Sequence, residues 1–561
     1  MDGPSQELLD KITKAQSIEG SSASALPYRN IGEMLLARAD RYEDLPFLIY
    51  YGEEVPRKEF SFRDIYEQAC RTANYLRSVG IRRGDRIAVV SANHPDTVTE
   101  YFAAFMMGAV AVPVNPGEDD RRIQYMLQNS GARLAFVRDM SPERIVAIAG
   151  SGFLTIARTG HQVDDESPHA GREIAKQSAT YAPDEAPDSD DDALIVYTSG
   201  ATGKAKGVVL TQRNLLVEAM NIAAWHQLAD DQRMMCVLPL YHVNGIVVTL
   251  LTPLLAGAGV VLNQQFHSGR FFERASAERV SVVSVVPTLL KFLLSARIDL
   301  EGYKLAQFRH VICGAGPLSA ELAQKFEQTF KIPVIHGYGL SETTSYCCFL
   351  PIDLSPAQHK AWLTRHDVPS IGVPLPVNEM AIHDPEGNEL PEGVKGEIVI
   401  RGENVMRGYW DDAEANGAAF THGWFRSGDE GYWTMDDEGR RFYFVTGRIK
   451  ELIIRGGSNI SPFEIDEVLG QIPGVEAGIA VGFENDWYGE EVGAYVKLKA
   501  GVQLTERDVL ERCRRKLPYV KSPKVVVFGT DVPVTPTGVY ERGSLKTLFS
   551  EWKETQFTEK K

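Results

Sequence analysis

The chain has 561 residues, and 59 lysines and arginines against 75 aspartates and glutamates give it a formal net charge of −16. That balance excludes a protein held to nucleic acid by phosphate attraction, and 44% hydrophobic content excludes a disordered chain. A chain this long holds about three to five domains, and its six cysteines, with no CxxC spacing, offer neither a disulfide framework nor a readable zinc site and point to a reducing, cytoplasmic setting.

Residues 1–30 are polar and of mixed charge, lack the basic start and apolar run of a secretory signal, and read as an N-terminal extension. The last residues, 558–561, form no lipidation or peroxisomal signal. From residue 31, FRDIYEQACRTANYLRSVG has a helical pattern, while RIAVVSAN and GAVAVPVN are strand-like, the rhythm of a parallel α/β sheet. Residues 157–192 interleave acidic clusters with Pro168, Pro183 and Pro187 and read as a solvated connection between two subdomains.

The next segment, ALIVYTSGATGKAKGVVLTQRNL (193–215), runs from strand through loop to strand. Its small residues let backbone N–H groups approach an anion, its hydroxyls donate further bonds, and Lys204 and Lys206 supply charge, so phosphate binding is the physical expectation. It is not a Walker A loop, because Ala205 follows Lys204 where a hydroxyl would hold magnesium; the plain alternative is a Gly/Ser/Thr-rich turn. Residues 234–269 carry no charged side chain, yet Thr249, Thr252, Pro253, Gly257 and Gly259 break the run well short of the roughly 20 apolar residues of a membrane span. A buried helix and strand are expected there.

The strand rhythm returns in VSVVSVVPTLL, RHVICGAG and IPVIHGYG. Between the last two, SAELAQKFEQTF sets Leu322, Phe326 and Phe330 on one helical face behind Ser319 as N-cap. A final unit spans 450–561. Ser461, Pro462 and Glu464 spell a capping box, Pro473-Gly474 end that helix, and the remainder reads strand, strand, helix capped by Thr505, strand.

The glycine loop, PLYHVNG (239–245), HGYGLSETT (336–344), GWFRSGDEGYW (423–433), GRIKELIIRGGSNISPFEIDEVL (447–469) and PVTPTG (533–538) together resemble the adenylate-forming superfamily of acyl-CoA synthetases, aryl-CoA ligases, luciferases and nonribosomal adenylation domains. Order and spacing agree along essentially the whole chain after about residue 30. The resemblance implies an α/β fold: a large portion, 31–449, of two parallel-sheet α/β subdomains plus a β-subdomain, and a small mobile α/β domain, 450–561. It also implies site residues. Thr198, Ser199, Gly200, Thr202, Gly203 and Lys206 would embrace the ATP phosphates, with Gly337, Tyr338 and Gly339 along the adenine. Thr343 would contact the α-phosphate and Glu342 would hold Mg2+. Asp429 would accept both ribose hydroxyls, with Arg448 as a second nucleotide contact, Lys450 as the hinge between two domain orientations, and Gly456-Gly457 beside a thiol channel. Lys206, His242 and Glu342 form the catalytic set implied.

His242 would stand beside the substrate carboxylate, and Cys313, Gly314, Ala315 and Gly316 leave room for an acyl tail. Amino-acid-activating relatives usually carry an Asp near His242; none lies in 234–269, so an uncharged acyl or aryl acid is favoured. One departure stands out. Where the family continues Pro-Thr-Gly-Lys, Val539 replaces the lysine that bridges carboxylate, α-phosphate and ribose. Three functions follow. The first is an acid–thiol ligase using ATP, Mg2+ and coenzyme A through an acyl-AMP. The second is a half-enzyme weak in adenylation that converts acyl-AMP to thioester or loads an acyl carrier protein; the third is a non-catalytic acyl-nucleotide-binding protein.

Overall fold

The strand–helix rhythm closes into layered sheets in a computed structural model that describes residues 5–53, 57–150, 155–159, 170–198, 205–534 and 540–558. Among these residues, one sheet has seven strands: Gly408–Tyr409, Lys206–Thr211, Asp192–Thr198, Val110–Val114, Arg86–Val90, Leu134–Val137 and Thr155–Arg158. The last five run parallel, and Lys206–Thr211 joins Asp192–Thr198 as an antiparallel neighbour. A second sheet of nine strands has a parallel centre ordered Val334–Tyr338, His310–Cys313, Val282–Val285, Arg233–Cys236, Gly259–Asn263 and Pro46–Tyr51.

The two sheets share the chain unevenly. Pro46–Tyr51 and Lys58–Ser61 lie in the second sheet, although they precede the first sheet in sequence, and Asp192–Thr198 returns to the first. Residues 157–192 therefore link two strands of one sheet, Thr155–Arg158 and Asp192–Thr198, rather than two subdomains, and the described acids among them are largely solvated. The stretch includes a helix, Ala170–Ala175, and its acids meet arginines: Asp188 with Arg29 (2.9 Å), Glu185 and Asp191 with Arg83 (both 2.7 Å). These pairs are largely exposed and individually weak, so they order the strap more than they stabilise the fold.

Helix Pro95–Met107 buries every residue except Asp96, with Glu100, Thr97 and Thr99 among the buried ones. Phe62–Ser78 starts from a complete capping box of Ser61 and Asp64. The charge-free stretch folds as a π-helix, Asn244–Leu251, a short α-helix, Thr252–Ala256, and strand Gly259–Asn263. Among the described residues no helix is long and apolar enough to cross a membrane.

An antiparallel sheet of Asn378–His383, Gly396–Gly402, Phe425–Met435 and Arg441–Arg448 follows. Beyond it, Ile453–Arg455, Ser458–Ile460, Val475–Asn485, Gly489–Leu498 and Val525–Phe528 build a separate sheet covered by Pro462–Gly470 and Glu506–Arg514. Ser319 and Thr505 cap their helices as expected. Ser461 does occupy the N-cap position before Pro462, yet the capping box is not formed: its hydroxyl donates to the Thr446 carbonyl, and Glu464 pairs with Lys521 at 2.7 Å. A nearby strand end offers the hydroxyl an acceptor that the isolated sequence cannot show.

Candidate active site

Ligand crevices of α/β sheets lie beyond the carboxyl ends of the strands, where most of the expected residues fall. Thr198 and Lys206 face each other across the hairpin. Ser199, Gly200, Thr202 and Gly203 lie outside the described residues, as does Val539. Lys206 Nζ stands 4.7 Å from the centre of the Tyr409 ring, and the Tyr409 hydroxyl donates to Glu342 Oε1 at 2.8 Å. Strand Gly408–Tyr409 pairs with Lys206–Thr211, which explains this meeting of residues two hundred positions apart. Burial and then the Glu342 charge push the Tyr409 phenol up, keeping it a donor.

Asp429 is the second anchor. Its strand pairs antiparallel with Arg441–Arg448, shifting register between Glu430 and Gly431, so that Asp429 stands opposite Arg448 and Arg448 Nε reaches Asp429 Oδ1 at 2.9 Å. Its other oxygen, Oδ2, accepts the Tyr338 hydroxyl at 2.5 Å. Burial raises the Asp429 carboxyl, opposed by Arg448 and Tyr338. Arg448 also feels the Glu342 charge, so the two carboxylates share one electrostatic neighbourhood. Gly337 and Gly339 have a packing reason to be glycine: a Cβ would reach within 2.3 Å of the Phe349 ring at the first and 2.1 Å of the Ser345 carbonyl at the second.

Within the turn Ser341–Thr343, the two hydroxyls differ in exposure. Thr343 is fully buried, and its hydroxyl accepts from Leu340 N and donates to Leu340 O. Ser341, half-buried in the same turn, is a hydroxyl that the motif by itself does not single out. A buried network with no local sequence signal holds the turn. Glu218, fully buried, accepts from Tyr346 N at 2.7 Å and from Asn404 Nδ2 at 2.8 Å. The Asn404 carbonyl accepts the Thr344 hydroxyl at 2.6 Å, and Met406 N donates to the Glu342 carbonyl at 2.8 Å. Thr344 sits at φ 62°, a left-handed conformation that such over-determined surroundings sustain.

On the acyl side, His242 Nε2 is buried without a hydrogen-bond partner, and burial, reinforced by Arg122, lowers the ring to about 4. The imidazole is neutral at ordinary pH. The room expected over Gly314 is taken: a Cβ there would meet the Tyr346 hydroxyl at 2.7 Å. Ala315 adopts φ 59° beside it. Lys450 is exposed in a short 3-10 turn, Ile449–Glu451, and Gly456 and Gly457 take φ of 55° and 83°. The cations near Val539 in sequence are both engaged. Arg542 is 6% exposed, pairs in bidentate fashion with Asp466 and donates to Ala480 O at 2.9 Å, and Lys546 pairs with Glu490 at 3.1 Å.

Comparison with known proteins agrees with this geometry. The profile of the AMP-binding enzyme family matches residues 35–410, and that of the AMP-binding enzyme C-terminal domain matches 464–538. A feruloyl-CoA synthase of Amycolatopsis is 32% identical over 489 residues, covering 87% of this chain and 94% of its own. A sulfoacetate–CoA ligase of Cupriavidus necator is 32% identical over 519 residues, covering 92% and 97%. ATP-bound MatB of Rhodopseudomonas palustris superposes with a TM-score of 0.83 at 26% identity, over 94% of this chain and all of that one.

Proposed function

The chain belongs to the AMP-binding enzyme family and is an AMP-forming acid–thiol ligase, and from that premise we propose how its residues divide the work. A carboxylate oxygen attacks the α-phosphorus of ATP and the bond to the β-phosphate breaks, giving acyl-AMP and pyrophosphate. The thiol of coenzyme A, shedding its proton, then attacks the acyl carbon and AMP leaves. Asp429, fixed by Tyr338 and Arg448, accepts the ribose hydroxyls, and Arg448 bears on the nucleotide. Lys206, Thr198 and the loop residues Ser199, Gly200, Thr202 and Gly203 take the phosphates, with Ser341 in place of Thr343 toward the α-phosphate. Holding both reactants in line supplies most of the acceleration in such reactions.

Glu342 fits Mg2+ carried in with the nucleotide: among the described residues no group of three acids, histidines or cysteines forms an all-protein cage, and one carboxylate plus phosphate oxygens suits that ion. Glu342 would hold the ion, whose charge offsets that of the phosphates when bound. Neutral His242 orients the substrate carboxylate without adding charge. We assign Lys450 to the hinge and Gly456-Gly457 to the approach of the thiol arm. An uncharged acyl or aryl acid is the substrate class, supported by the absence of charged side chains from 234–269. Six free, buried cysteines support a cytoplasmic setting. The observation that carries this reading is the joint cluster of Asp429, Arg448, Tyr338, Glu342, Tyr409 and Lys206. Acid-dependent exchange between ATP and pyrophosphate, together with thioester formation from synthetic acyl-AMP, tests it; silence in both across a broad acid panel refutes it.

A further inference from the structure

The ligase activity leaves the acid's tail undefined, and the buried polar atoms around Tyr346 narrow it. Tyr346 closes over Gly314 and Gly337, at the carboxyl ends of His310–Cys313 and Val334–Tyr338. Its hydroxyl accepts from Asn244 Nδ2 at 3.3 Å. Asn244 is only 8% exposed, opens the π-helix two residues after His242, and its Oδ1 is buried with no hydrogen-bond partner. Ser284, fully buried at the strand end beside them, interacts with the same Tyr346 hydroxyl. His242 Nε2 is a second buried atom without a hydrogen-bond partner in this region. A buried carbonyl oxygen left without a donor costs about 1–3 kcal/mol, and π-helical turns gather at functional sites.

We propose that the acyl pocket is built for an uncharged acid carrying a hydrogen-bond donor, a hydroxyl or N–H on its tail, that donates to Asn244 Oδ1 with Ser284 as a second polar contact. The inference rests on the ligase reading. Asn244 Oδ1 is an acceptor only, since its Nδ2 is turned to Tyr346, so the complementary group must donate. No charged side chain lies in 234–269 itself, and a cation that bears on His242, Arg122, comes from outside that segment. Sites that hydrogen-bond a substrate hydroxyl discriminate strongly against the analogue lacking it, because the protein group is then stranded.

The test measures kcat/KM in acid-dependent ATP–pyrophosphate exchange for matched acids: hexanoate against its hydroxylated isomers, and 3-phenylpropanoate against its ring-hydroxylated and ring-aminated forms. At least one donor-bearing acid is expected to exceed its plain partner about tenfold or more. Asn244→Leu should bring that ratio to within about threefold of one, and Ser284→Ala, which removes one oxygen and little volume, should lower it about threefold. Plain acids equal to or better than every donor-bearing partner overturn the inference while leaving the ligase reading intact; so does a preference that survives both substitutions. Absence of exchange and of thioester formation with every acid refutes the ligase reading, and this inference with it.

Discussion

Replacing Val539 with lysine is the most informative single change. In the family pattern a lysine at this position bridges carboxylate and α-phosphate while charge develops, and one preorganised donor of that kind is worth about 10²–10³ in rate, or roughly 3–4 kcal/mol. Arg542 is no substitute. It is 6% exposed and locked to Asp466 and Ala480 O, and breaking a buried ion pair costs about 3–5 kcal/mol, at least as much as the new contact would return. Lys546 is held more lightly, by a partly exposed pair with Glu490 at 3.1 Å, worth about 0–1 kcal/mol. Val539→Lys should therefore accelerate acid-dependent ATP–pyrophosphate exchange about 10²–10³-fold, while thioester formation from preformed acyl-AMP stays within about threefold. An unchanged exchange rate would refute the reasoning. Should exchange also collapse in Lys546→Ala of the wild-type background, Lys546 already serves the α-phosphate, as its light tether to Glu490 permits.

Asp429→Asn exchanges a charged acceptor for a neutral amide beside Tyr338 and Arg448; at about 1.5–3 kcal/mol for a charge-assisted bond, KM for ATP should rise roughly 10–100-fold in steady-state kinetics. Asp466→Asn removes the bidentate partner of buried Arg542 and leaves it Glu451, 3.5 Å from Nε, as an ion pair; the loss should approach the about 3–5 kcal/mol of a broken buried pair, seen as a lower urea midpoint and faster proteolysis of the small C-terminal unit. Burial raises the Glu218 carboxyl from 4.5 to about 8, so between those values the folded chain holds a proton that the unfolded chain has released. That contribution is complete below about pH 4.5 and is lost as the pH climbs through 8. Glu218→Gln cannot titrate, so the stability advantage of wild type over the variant should shrink between pH 5 and pH 8.5, by at most about 5 kcal/mol at 1.4 kcal/mol per unit; equal gaps in urea midpoint at both pH values would refute it.

Much of the fold was legible because each local signal agreed with the next. Alternating apolar runs and amphipathic stretches gave parallel strands with covering helices, and the glycine-rich loop was framed by the two strands that Asp192–Thr198 and Lys206–Thr211 became. The failures are of two kinds. Ser461 was assigned to a capping box by local pattern, yet its hydroxyl found a better partner in the Thr446 carbonyl. Gly314 was read as space because a sequence shows a missing side chain but not its neighbour; the Tyr346 ring fills it. Glu218, Asn404 and Tyr409 gave no local signal at all. Glu218 and Asn404 are 186 residues apart, joined only once the sheets bring Gln212–Trp225 under the loop after Gly396–Gly402.

The carboxylates at the two anchors share a design that explains why tyrosines stand beside them. Asp429 and Glu342 each accept one phenol, from Tyr338 and Tyr409. In both phenols burial and the adjacent carboxylate raise the hydroxyl further above its ordinary range, so neither gives up its proton at working pH. A neutral donor fixes a carboxylate's orientation without adding a further cation, which leaves Arg448 as the cation paired with Asp429. Preorganisation of this kind matters more than raw attraction, because a site loose by an ångström forfeits most of its advantage. Arg448 completes the logic from the open side. Its side chain is 51% exposed while Asp429 beneath is 4% exposed, so the cation can shift toward an arriving nucleotide while the buried acid stays in place. Charge is thus held ready on phenol-braced acids, and the cations Arg448 and Lys206 flank them, Arg448 on the solvent side.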